Sequence, residues 1–202
     1  MTAPFVILGT PRSRTAWLAK FLAFEGRKVL HEPSIDFRSI NDLYALLQNH
    51  SVAGIVDSTM TFRWRDVLTA APAARIVLVH RPPSDVIASF MRTGVFAGQR
   101  AAAQVRLGRL LRSLSDAIED LWASEAVLSV PFEELNARHV CDRVFRYCLG
   151  EPMPERWWRI LRAENVQADI RDVFRRAEAN ADGIRAVYPE IEPVGADAWQ
   201  SR

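Results

Sequence analysis

Two stretches of this chain combine residue types that can hold an anion. The first is Gly9 to Leu18, GTPRSRTAWL, directly after the apolar run Phe5-Val6-Ile7-Leu8. A short apolar run that breaks at Gly-Thr-Pro and reopens with helical spacing at Trp17, Leu18, Phe21 and Leu22 predicts strand, loop and helix. That layout aims backbone N–H groups and a helix N-terminus at a phosphate-type group. It is not the nucleoside-triphosphate loop, because G-x-x-x-x-G-K-[ST] needs Gly, Lys and a hydroxyl where this chain has Arg14, Thr15 and Ala16. The lysine and the Mg²⁺-binding hydroxyl are both missing. The second stretch is Arg81-Pro82-Pro83-Ser84-Asp85-Val86-Ile87-Ala88-Ser89, entered from the apolar run Ala74 to His80. Its prolines suit the first helical positions and Ser84 is the expected cap. Arg81 then leaves a strand's carboxyl end while Ser89, eight residues on, sits about two turns into the next helix. A fork-shaped cation and a hydroxyl can thus approach one phosphate.

Candidate bases stand at two other strand ends. His31-Glu32 follows the short run Lys28–Leu30, and Asp57-Ser58 follows Ala53–Val56. A carboxylate acts well near neutral pH only when burial raises its pKa, and nearby arginines oppose that. An imidazole needs no such help.

Pro11-Arg12-Ser13-x-Thr15-x-Trp17 resembles the 5′-phosphosulfate loop of the sulfotransferases, P-[KR]-S-G-T-x-x, and Arg81 with Ser89 match that family's R-x-P-x-D-x-x-x-S. Phe132-Glu133-Glu134-Leu135, after the apolar run Val127 to Val130, is similar to its [YF]-E-[DE]-L segment. The three motifs stand in the family's order, and the resemblance spans roughly residues 5 to 150. It implies a nucleotide-binding, P-loop-like enzyme that moves a sulfuryl group from 3′-phosphoadenosine 5′-phosphosulfate to a hydroxyl-bearing acceptor, without a metal.

Under that resemblance the donor is held by Pro11, Arg12, Ser13, Arg14, Thr15, Ala16 and Trp17 together with Arg81 and Ser89. Arg12 stands where the family places the cation on the leaving oxygen. Glu32 lies about where the tyrosyl-protein branch has its catalytic Glu; His31 and Asp57 remain alternatives, and Ser58 is a further donor contact. Arg14 replaces a family Gly whose backbone is left-handed, a conformation that a β-carbon disfavours. Either Arg14 points outward as an extra cation or donor binding is weakened. No segment resembles the C-terminal R-K-G-x-x-G-x-x-K of the cytosolic branch, so the chain looks closer to the carbohydrate and tyrosyl-protein branches. Two rival readings are an inactive nucleotide-binding module of the same fold and a P-loop phosphotransferase, the latter opposed by the absent lysine.

The elements that must position these groups alternate along the chain without repeats. Strands are expected at Phe5–Leu8, Lys28–Leu30, Ala53–Val56, Ala74–His80 and Val127–Val130. Helices are expected near residues 14–25, 40–47 and 63–69, just after Arg81 and through Ser89, and near 140–149, 155–162 and 166–177. Leu107, Leu110, Leu111, Leu114, Ile118, Leu121 and Trp122 are read as one buried apolar stripe of a helix of about twenty residues. Five strands separated by helices predict an α/β fold with three layers and a central, mostly parallel five-stranded sheet, with ligands at the strands' carboxyl ends. One domain over residues 1–188, its C-terminal part over 150–188 helical, and a loose tail over 189–202 are expected. Of the adjacent Trp157 and Trp158, one belongs in the core and the other over a cleft or partner surface.

At 202 residues, 49% apolar and 25% charged, the composition is that of an ordinary globular domain. No run approaches the roughly 18 apolar residues of a membrane helix, so a cytoplasmic protein without a membrane partner is expected. Net charge is +2, and among 26 basic residues only Lys20 and Lys28 are lysine, a bias that genome composition explains without nucleic-acid binding. Cys141 and Cys148 lie two turns apart on one expected helix, too far for a disulfide, and read as core residues. The acceptor and the oligomeric state are not legible; variable segments such as 92–100 and the C-terminal region are the expected acceptor walls.

Overall fold

A computed structural model describes residues 4–191 apart from 97, 99 and 125. The tail expected over 189–202 thus lies almost wholly outside the described residues. Strands β1 (Phe5–Gly9), β2 (Val29–His31), β3 (Gly54–Val56), β4 (Arg75–His80) and β5 (Val127–Pro131) form one sheet in the order β2-β3-β1-β4-β5. Every pairing is parallel. The chain leaves β1 towards one edge and later returns to its other side at β4, so the order reverses at β1. A crevice opens outside the carboxyl ends of the strands at such a point.

Successive side chains of β1 point to opposite faces, and each face has its own core. Phe5 and Ile7 pack with Phe21, Val144 and Phe145 beneath helices α1 (Thr15–Leu22) and α6 (Arg138–Leu149). Val6 and Leu8 pack with Leu43, Ile55 and Leu121 beneath α2 (Ile40–Leu47), α3 (Trp64–Ala70) and α5 (Arg100–Trp122). Covering on both faces is why β1 is apolar throughout and β4 is apolar and buried from Ile76 to Val79. Phe21 is fully buried, and truncating it to Ala would cost about 3–5 kcal/mol.

Several boundaries differ from the sequence expectation. The first helix begins at Thr15, not Arg14, and stops at Leu22, where Ala23 N–H bonds back to Ala19 and Lys20 and Glu25 turns left-handed. Strand β2 runs one residue further and includes His31. Ser84 is not a cap: α4 (Pro83–Arg92) opens directly after Pro82, and its fixed ring makes Pro83 a suitable first residue. In the C-terminal part, α7 (Glu155–Ala163) is followed by α8 (Ile170–Ala179), whose start is set by Asp169 accepting from the N–H groups of Arg171 and Asp172. A short helix α9 (Ala181–Val187), inside the stretch 150–188 expected to be helical but without bounds of its own there, then buries Ile184 and Val187 and leads to the fully buried Tyr188.

Trp158 is the core indole. Trp157 is half-buried: its Nε1 donates to Phe21 O at 2.8 Å and its ring lies 5.5 Å from that of Phe24. Cys141 and Cys148 are both free and buried. Burial pushes the Cys141 thiol up to about 12 and raises Cys148 as well, so neither is a ready thiolate.

Candidate functional site

The loop after β1 is built on a close approach. A β-carbon at Gly9 would stand 1.9 Å from Val79 O, so β1 and β4 meet there only because residue 9 is glycine. Thr61 fastens the same point, accepting from Gly9 N–H at 2.8 Å and donating to Gly9 O at 3.1 Å. No local pattern marks Thr61 for this task, 52 residues downstream.

Past Gly9 the backbone alternates in handedness, with φ of 64° at Arg12 and 61° at Arg14 on either side of Ser13. Such alternation turns successive N–H groups into one concavity, where anions bind. Each left-handed non-glycine residue costs roughly 1–2 kcal/mol. Specific contacts offset it. The Arg14 guanidinium donates to Leu135 O at 3.3 Å and lies 5.7 Å from the Trp17 ring and 5.9 Å from the Phe132 ring. Arg14 therefore adopts a left-handed turn of the kind that favours glycine and carries its side chain towards Phe132 and Leu135.

Arg12 joins the two stretches read from the sequence. Its Nε donates to Ser89 Oγ at 3.1 Å, its guanidinium lies 5.9 Å from the Phe90 ring, and its carbonyl accepts from Arg81 Nη1 at 2.8 Å. Arg81 rests 4.2 Å over the Phe132 ring, and its buried Nε has no hydrogen-bond partner among the described residues. Burial, then Arg81 and Arg92, lower the pKa of Arg12; burial lowers that of Arg81 too, with Arg92 adding to it against Asp85 and Glu133. Arg92 follows Ser89 by one turn of α4, so three guanidiniums converge where only a few carboxylates answer them. The sequence reading missed Arg92; its spacing of three from Ser89 on a helix was the available signal.

The base candidates lie at the other end of the crevice. Glu32 is left-handed, with φ of 47°, and its N–H bonds to Val56 O at 2.9 Å. Its buried carboxylate accepts from Ser58 N–H at 3.2 Å and from Ser58 Oγ at 3.0 Å. Burial and the neighbouring Asp57 hold it well above the usual carboxylate range, against the two Ser58 bonds. Asp57 accepts from Ser34 N–H and Oγ and from the N–H groups of Thr59 and Met60, all within 2.9 Å. Burial raises Asp57 too, opposed by those bonds. Four donors against two make Asp57 the better-satisfied anion, so Glu32 is the member of the pair that takes a proton. His31 Nε2 lies 3.1 Å from Thr15 Oγ1 and 3.9 Å from Glu32 Oε1. Burial first and Arg176 second push His31 down to about 4, so near neutral pH the His31–Glu32 contact is not an ion pair.

A cavity of about 770 Å³ connects the two ends. Pro11, Arg12, Arg14, Thr15, Ala16, His31, Glu32, Ser58, Arg81 and Ser89 all line it. Three residues named from the sequence do not. Ser13 is fully buried with its hydroxyl 2.6 Å from Thr10 Oγ1, so only its backbone can face the loop's concavity. Trp17 belongs to the core, stacked on Phe21 and donating from Nε1 to Leu161 O. Asp57 sits fully buried behind Glu32.

Among solved structures, the fold is similar to that of a sulfotransferase from Alicyclobacillus acidocaldarius, with a TM-score of 0.53 and 17% identity over the whole of both chains. It is also similar to the sulfotransferase domain from the curacin biosynthetic pathway, with a TM-score of 0.55 and 12% identity, covering 98% of this chain and 89% of that one. The chain thus has the sulfotransferase fold. No family model and no curated protein matches it. No helix among the described residues is long and apolar enough to cross a membrane.

Proposed function

We propose that this chain is a sulfotransferase that takes 3′-phosphoadenosine 5′-phosphosulfate as donor and a hydroxyl compound as acceptor. One observation carries the reading: Arg12 bonds Ser89 and Arg81 at once, so the loop after β1 and the start of α4 form a single cationic cradle. The unpartnered Nε of Arg81 fits a ligand that brings its own acceptor oxygens. Arg81, Ser89 and Arg92 hold the 3′-phosphate. Arg92 supplies the cation that the cytosolic branch draws from its C-terminal segment. The loop N–H groups and Thr15 hold the 5′-phosphate.

In the transfer, a bond forms from the acceptor oxygen to sulfur as the bond from sulfur to the 5′-phosphate oxygen breaks, in line. Glu32 takes the acceptor proton, for which a carboxylate raised by burial is better matched than an imidazole lowered to about 4. Arg12 follows the negative charge that grows on the departing phosphate oxygen. His31, neutral and bonded to Thr15, positions the loop against Glu32.

Calorimetric titration with 3′-phosphoadenosine 5′-phosphate and with ATP, each with and without Mg²⁺, tests the reading. Tighter, metal-independent binding of the bisphosphate is expected. Binding of ATP alone, with a strict Mg²⁺ requirement, would turn the assignment to a phosphotransferase. Tight bisphosphate binding without turnover of any acceptor would favour the inactive module.

A further inference from the structure

The cavity extends well past the phosphate cradle, and its character changes there. Between α4, α5 and α8 its wall is made of Phe90, Phe96, Leu107, Leu114, Ile170 and Phe174. Three of these rings pack on one another, with centroids 6.3 Å apart for Phe90–Phe96, 5.5 Å for Phe96–Phe174 and 6.2 Å for Phe90–Phe174. Ile35 and Phe62 continue the apolar surface round to Glu32. The arginines of α5 that border this part, Arg106 and Arg109, are exposed. The cavity stands in the upper part of the roughly 300–1,000 Å³ range of small-molecule sites. That leaves room for a second ligand beside a nucleotide.

We infer that the acceptor is a single hydroxyl carried on an apolar body, an aliphatic alcohol or a phenol, seated against the Phe90–Phe96–Phe174 wall with its oxygen towards Glu32. The assignment rests on the sulfotransferase reading of the same site. A sugar would bring several hydroxyls, and each one that loses water without finding a protein partner is penalised. This wall offers hydrocarbon and ring faces instead, against which an apolar body gains by leaving water. The one polar end of such a molecule meets Glu32, Ser58 and His31, which line the same cavity; its remaining polar lining, such as Ser113, Gln167 and Glu178, lies outside the aromatic wall itself.

The test is direct binding, read without turnover. 2-Naphthol, 1-octanol and N-acetylglucosamine are titrated into the full chain by calorimetry, with and without 3′-phosphoadenosine 5′-phosphate. Naphthol and octanol should bind and the sugar should not; whichever of the two binds more tightly separates phenol from aliphatic alcohol. Phe174→Ala should weaken the apolar ligand by about 10-fold or more through lost buried area, leave bisphosphate affinity unchanged, and be rescued by Phe174→Leu. Leu110→Asp, on the half-buried cavity face of α5, should abolish apolar binding in a fold that circular dichroism shows intact. Sugar binding in preference to naphthol and octanol, or apolar binding indifferent to both Phe174→Ala and Leu110→Asp, overturns the assignment. A wild-type chain that binds naphthol but no bisphosphate overturns the sulfotransferase reading, and with it the role of the chamber as an acceptor site. A chain that binds bisphosphate and prefers the sugar overturns the acceptor class alone.

Discussion

Arg12 and Ser89, 77 residues apart in the chain, are joined by a 3.1 Å hydrogen bond from Nε to Oγ, while the backbone carbonyl of the same arginine accepts from Arg81. The loop after β1 and the start of α4 are therefore one mechanical unit. Disturbing either side should be felt by the donor.

Arg81→Ala should weaken 3′-phosphoadenosine 5′-phosphate by roughly 10- to 150-fold, the equivalent of about 1.5–3 kcal/mol for a charge-assisted bond. Binding of adenosine 5′-phosphosulfate, which has no 3′-phosphate, should fall less, because Arg81→Ala costs it only the support that the Arg12 carbonyl bond gives the loop. Arg92→Ala should show the same selectivity with a smaller loss, since Arg92 is exposed. Calorimetry with both ligands checks this, and equal losses for the two ligands would show that these arginines do not hold the 3′-phosphate.

Glu32→Gln should keep donor affinity near wild type while turnover falls by about 10²–10⁴, the scale of a lost general base. His31→Asn is the comparison. Should it abolish turnover while Glu32→Gln retains most of it, the base is His31.

Asp57 raises the Glu32 carboxyl through its charge. In the wild type, kcat should therefore rise with pH through a limb above the ordinary Glu value of 4.5. Asp57→Asn removes the charge and should move that limb to lower pH, in a pH–rate profile taken on the folded variant.

Stability should also titrate at His31. Its ordinary value of 6.5 falls to about 4 in the fold, so the unfolded chain takes the proton first as pH falls. The stabilisation is present above 6.5 and is lost between about 6.5 and 4, on the order of 3 kcal/mol in full. Glu32, raised in the fold, works in the opposite sense over part of this range. Urea melts at pH 7 and 4.5 should show a larger drop for the wild type than for His31→Gln.

Arg14 offers a test of the loop by itself. Arg14→Gly relieves a left-handed strain of roughly 1–2 kcal/mol but loses the Leu135 bond and two ring contacts, so stability should change little. Arg14→Ala loses the contacts and keeps the strain. It should be less stable than either, by about 1 kcal/mol in denaturant midpoints.

The strands, the loop and the start of α4 were legible in the sequence because each is written locally. An apolar run, a Gly-Thr-Pro break and helical spacing act on near neighbours, and the pairing of Arg81 with Ser89 is a matter of helix pitch. Tertiary structure decided which of those groups face the cavity. Ser13 and Trp17 belong to the same loop and helix as Arg12 and Thr15, yet the first turns into Thr10 and the second into Leu161, choices made by what lies beneath them. The Glu32–Asp57 pair exists because β2 and β3 are neighbours in register, with His31 opposite Val56, which sets two strand ends side by side. The aromatic wall needed α4, the residues just after it and α8, from separate parts of the chain, to meet. Burial and charge coupling are properties of that assembly, so the raised carboxyl of Glu32 and the lowered imidazole of His31 had no counterpart in the order of residues.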